Sequence, residues 1–91
     1  VERAKPNLFN AYPNPANHQV VVHIETGKVN NETVLIHILR SDGTLWQEKR
    51  GTVAGRGDFV FDVQSLPQGV YLLQVRLESG EVETKRIAIV H

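Results

Sequence analysis

Apolar residues recur at every second position through most of this chain, the period of β-strands with one buried face. The stretch QVVVHIE puts Val20, Val22 and Ile24 on one side, and TVLIHIL does the same with Val34, Ile36 and Ile38. DFVFDV points Phe59, Phe61 and Val63 one way, and VYLLQVRL aligns Tyr71, Leu73, Val75 and Leu77. LWQEKR reads as a short polar strand, and VETKRIAIV is the last. A short first strand over Phe9 to Tyr12 brings the expected count to seven. No stretch carries a helical stripe.

Turn signals fall between these segments at the spacing of an all-β sandwich. Asp42-Gly43 suits a tight hairpin because glycine accepts a positive φ, and Ser79-Gly80 offers the same chemistry before the last strand. Gly27 and Asn30-Asn31 punctuate an earlier connection. The segment YPNP leaves the first strand in a rigid turn, since proline cannot donate to a ladder. In LPQGVY, Pro67 and Gly69 shape a corner, and Tyr71 enters the core face with a hydroxyl that needs a partner. Such a tyrosine is like the tyrosine corner of immunoglobulin-like sandwiches. The pattern predicts an all-β fold, a seven-stranded antiparallel immunoglobulin-like β-sandwich.

Length and composition narrow the function. Ninety-one residues make one domain, able to bury roughly two-thirds of its unfolded surface and too small for a deep cleft. Residues 1–7 read as a linker stub and residues 8–91 as the domain. The chain contains no Met, so it is expected to be a piece of a longer protein. It has no Cys, which excludes disulfides and thiolate chemistry. Ten basic and ten acidic residues cancel, giving no long-range pull on nucleic acid or anionic lipid. No apolar run approaches the ~20 residues needed to span a bilayer as a helix.

Candidate chemistry is sparse. His23 and His37 lie on predicted strands, opposite their Val/Ile stripes, where a pairing of the two strands would make them neighbours. A metal site needs three or four ligands and a second shell, and the spacing of the histidines supplies neither, so no metal or other cofactor is expected. Asp42 suits its turn, while Asp58 and Asp62 flank aromatic positions and face solvent. No nucleophile elbow is present and no catalytic residue is assigned, so an enzyme is not expected. Arg56-Gly57-Asp58 is an integrin-type tripeptide, better explained by Gly55 and Gly57 serving a turn and Asp58 starting a strand. Trp46 fits a core or edge-covering role, and Asn31-Glu32-Thr33 matches a glycosylation sequon.

Tyr12-Pro13-Asn14-Pro15-Ala16, Asp42-Gly43, Leu66-Pro67-Gln68-Gly69-Val70-Tyr71 and the closing basic-apolar strand stand in a fixed order. In that order they resemble the C-terminal sorting domain of the type IX (Por) secretion system of Bacteroidetes. The resemblance runs from about Phe9 to His91 and implies an address label, read by an outer-membrane translocon after transit through the periplasm. Partners implied are that translocon, a sortase-like surface peptidase that removes the domain, and an N-terminal cargo delivered to the cell surface or released.

Carried over by resemblance, translocon recognition falls on Gly69, Tyr71, Lys85, Arg86, Ile87, Ala88, Ile89, Val90 and His91. Tyr12, Pro13, Asn14, Pro15, Leu66 and Pro67 hold the frame. The chain departs from the family pattern at His91, where Lys or Arg is usual, which leaves room for a retained, uncleaved form. Ile87 and Ile89 face one way and Ala88 and Val90 the other. If that strand lies at an edge, its unpaired backbone groups invite a receptor by strand addition, and also allow a homodimer. An adhesive or accessory immunoglobulin-like module of a surface protein is the alternative reading.

Overall fold

The computed structural model describes residues 9–13, 16–26 and 30–91. Among these residues the regular elements are strands only: β1 (Phe9–Tyr12), β2 (Gln19–Glu25), β3 (Asn31–Arg40), β4 (Leu45–Ala54), β5 (Arg56–Asp62), β6 (Gly69–Leu77) and β7 (Val82–Ile89). The expected linker stub, Asn14, Pro15 and Gly27 lie outside the described residues. β4 outruns its polar segment. It follows β3 by backbone pairing from Leu39↔Leu45 to Asn31↔Ala54, through Gly51 and Thr52, which carry no apolar signal.

Hydrogen-bonded neighbours run β1-β2-β5-β4-β3-β6-β7, and every pair is antiparallel. The join of β4 to β5 is a single pair, Ala54↔Arg56, on either side of Gly55. There the sheet folds over into two layers, β1-β2-β5 and β4-β3-β6-β7. The fold is an immunoglobulin-like β-sandwich.

The alternating residues meet between the layers. Val20, Val22 and Ile24 of one layer face Val34, Ile36, Ile38, Leu73 and Val75 of the other, all with no exposed surface. Each such side chain stabilises the fold by about 1.5–3 kcal/mol relative to exposure. His23 and His37 are not neighbours. β2 pairs with β1 and β5, and β3 with β4 and β6, so the two histidines occupy the outer faces of different layers.

The seams that close the sandwich are built differently. Along β4–β5, Gly51 admits the ring of Phe59, and a Cβ at position 51 would sit 2.5 Å from Phe59 Cε2. Lys49, on the inner face of β4, donates from Nζ to the Val60 carbonyl at 2.6 Å and lies 4.8 Å from the Phe61 ring centroid. An inward-pointing lysine disfavours pairing with another sheet. Along β1–β7, the Phe9 N–H donates to the Glu83 carboxylate at 3.3 Å, and Lys85 Nζ lies 5.5 Å from the Phe9 ring centroid.

Turns are fixed by side chains. Gly43 has φ 91°, and the Thr44 N–H donates to Asp42 Oδ1 at 2.9 Å. Hydrogen bonds from Thr44 hold the Asp42 carboxyl below its ordinary value. The buried Glu32 carboxylate accepts the Ser79 N–H at 3.0 Å, fastening the β6–β7 turn to β3.

Candidate functional site

β6 opens on the corner predicted from LPQGVY. Leu66 is buried, and the hydroxyl of the nearly buried Tyr71 donates to the Pro67 carbonyl at 2.7 Å. That bond ties the loop to the strand it precedes. β7 then runs antiparallel to β6, with Ile87 opposite Tyr71, Ala88 opposite Val70 and Ile89 opposite Gly69. Ile87 and Ile89 are buried on the inner face, while Ala88 and Val90 face outward.

Beyond β7 the chain stays attached to the same corner. The His91 N–H donates to Gln68 Oε1 at 3.1 Å, and His91 Nε2 lies 2.7 Å from the Leu66 carbonyl. A carbonyl only accepts, so that contact requires the proton on Nε2.

β7 is the last strand in its layer. On its outer edge stands Ala16, next to the YPNP segment. Ala16 forms an isolated parallel bridge with Ile89. Its N–H donates to the Ala88 carbonyl at 2.9 Å, and its carbonyl accepts the Val90 N–H at 2.8 Å. Ala16 is itself buried. The Tyr12–Pro13 peptide is cis, and β1 ends there with Tyr12 half exposed. The end of β7 is therefore held on one edge by Gly69 and Val70 and on the other by Ala16. Sequence reasoning named the early motif, the corner and the last strand separately; it missed that they meet, and it missed the role of Gln68. Main-chain bonds such as those of Ala16 leave no side-chain signature.

Lys85 and Arg86 part company. Lys85 turns inward beside Phe9, whereas Arg86 is exposed on the outer face opposite Leu72.

The remaining candidates form structural contacts. Arg56-Gly57-Asp58 lies in extended β5, and Asp58 contacts His23 Nδ1 at 2.5 Å. His23 Nε2 also lies 3.3 Å from Glu25. The hydrogen bond to Asp58, then that to Glu25, raises the His23 pKa above its ordinary value. His37 meets Glu48 at 2.9 Å. Asp62 Oδ1 accepts the Gln64 N–H at 3.0 Å. Trp46 packs on the core with the Arg40 guanidinium 4.6 Å from its ring centroid. Among the described residues no three His, Cys, Asp or Glu side chains are grouped to hold a metal ion. No helix there is long and apolar enough to cross a membrane.

The architecture is that of a small immunoglobulin-like sandwich closed by its last strand. The model of the secretion system C-terminal sorting domain family matches residues 10–90, and the chain belongs to that family. Its function is that of a C-terminal sorting signal for type IX secretion. Export to the cell surface or the extracellular space follows from that assignment. The sandwich is similar to the CARDB domain of a Pyrococcus furiosus protein, whose crystal structure is a complex with di-metal ions. That similarity has TM-score 0.57 at 16% identity, covering 90% of this chain and 84% of the other, and concerns the fold. No curated protein matches the chain.

Proposed function

We propose that the type IX outer-membrane translocon reads this domain at the end of β7, together with the two elements that hold it. The observation that carries this reading is the meeting of Ala16, the Leu66–Tyr71 corner and Ile89–His91 at one place. Arg86, Ala88, Val90 and His91 face the translocon, and Gly69, Tyr71, Lys85, Ile87 and Ile89 set the strand that presents them, with Tyr12, Pro13, Leu66 and Pro67 as the supporting frame. Capture proceeds by a clasp on the outward residues of β7, because Ala16 already pairs with the main-chain groups of Ala88 and Val90 that strand addition would need. The domain itself performs no chemistry. It accompanies an N-terminal cargo through the periplasm, and a sortase-like surface peptidase acts on the cargo–domain junction after crossing.

The test fuses residues 1–91 behind a secreted reporter in a Bacteroidetes host and measures surface delivery. Removal of Ile87 to His91 is expected to abolish delivery. Ala16→Pro, which deletes one hydrogen bond to β7, is expected to reduce it in a chain that still melts cooperatively. Delivery of the truncated chain at the intact level would overturn the reading.

A further inference from the structure

The outer face of the β4-β3-β6-β7 layer is apolar at one end, crosses a polar row in which Glu48 is paired with His37, and is basic beyond it. The register places Leu45, Leu39 and Leu72 side by side across adjacent strands, and Val70 beside Ala88. Leu45, Val70 and Val90 are each about half exposed, at 51%, 47% and 46%. Arg86 continues the leucine row, and further along the same face Arg50 and Arg76 flank Leu35. All three arginines are exposed. The opposite outer face is mixed, with Val21 opposite Val60, Asp62 opposite Gln19, Asp58 opposite His23 and Glu25 opposite Arg56.

We propose that this apolar and basic face is a second docking surface, for a protein partner in the secretion machinery that presents an apolar ridge flanked by carboxylates. The proposal rests on the sorting reading above and adds the chemistry of the partner. Contiguous apolar exposure on a small domain marks an interaction site when it is rimmed by polar groups. Arginine beside such a patch favours carboxylates, with which it pairs in a bidentate manner. The patch is continuous with the end of β7, so one partner can span both.

Two other occupants fit less well. A second copy would have to offer the carboxylates of its opposite face, but these already accept hydrogen bonds from His23 and from the Gln64 N–H. An anionic bilayer draws on clustered basic residues, whereas this chain has a formal net charge of zero and its arginines are spread over the face.

The test uses the same reporter fusion. Arg50→Glu with Arg76→Glu, and separately Val70→Ser with Leu72→Ser, are expected to lower surface delivery about tenfold or more, as loss of interface anchors does. Arg56→Glu with Val60→Ser on the opposite face is expected to leave delivery unchanged, and all variants should melt within a few degrees of the parent, roughly the shift of 1 kcal/mol. Export of both outer-face variants at the parent level, while removal of Ile87 to His91 still blocks it, would overturn this surface and leave the sorting reading standing. Failure of the intact fusion to be delivered would overturn the sorting reading first. Sedimentation of the purified chain as a dimer that the arginine changes dissolve would assign the face to a second copy and overturn the proposal. Flotation with phosphatidylglycerol vesicles, lost in the same variant, would assign it to a membrane and do the same.

Discussion

The two seams of the sandwich solve one problem in opposite ways. Between β4 and β5 the chain simply turns at Gly55, and the layers are joined through residues adjacent in sequence. Between β1 and β7 nothing is adjacent: Phe9 reaches Glu83 across 74 positions, and Ala16 reaches Ile89. A local seam forms cheaply, because little loop entropy opposes it. The distant seam must be specified by recognisable residues, and the residues proposed for recognition stand there. In a sorting domain, the seam that depends on long-range contacts is also the one that presents the last strand.

The largest expected effect lies at the distant seam. Ile89→Ala removes a fully buried side chain, and urea melts should show a loss of about 2–5 kcal/mol. A loss near zero would mean that β7 is not packed as described.

At the local seam, Gly51→Ala drives a methyl group into the Phe59 ring, and stability should fall by about 1–3 kcal/mol. Combined with Phe59→Leu, the penalty should shrink, because the leucine lacks the intruding ring atoms. An additive double variant would contradict the close approach.

Tyr71→Phe deletes the bond to the Pro67 carbonyl and is expected to cost about 0.5–1.5 kcal/mol. The same melts should show it weakening the β6 corner less than Ile89→Ala weakens β7.

The smallest effect depends on pH. His23 has its pKa raised by Asp58 and Glu25, so the protonated form is favoured in the folded state. The stabilisation is fully present below the ordinary histidine pKa of about 6.5 and is lost as pH rises through the raised value. The urea midpoint of the parent relative to His23→Gln should therefore be higher near pH 6 than near pH 9, since only the parent carries this linkage. An unchanged difference would show that the contacts do not bias the protonation of His23.

Period two made the strands legible, because residues such as Val20, Val22 and Ile24 have their burial written into local alternation. The far half of β4 was not legible. Its inner face reads Lys49, Gly51 and Val53, and only pairing with β3 makes a strand of it. The separation of His23 from His37 was equally hidden, since strand order is decided by long-range pairing. Of the candidate site, the pieces could be read and their meeting could not. Motifs advertise side chains, whereas Ala16 acts through its backbone alone.

The opposed directions of Lys85 and Arg86 have a practical consequence. A short synthetic peptide copying the tail would offer both cations to any acceptor at once, without the opposed orientation that the sandwich imposes. The folded domain shows the outside world one of them and keeps the other against Phe9. Transplanting the tail onto a new protein should therefore convey less than transplanting the whole sandwich.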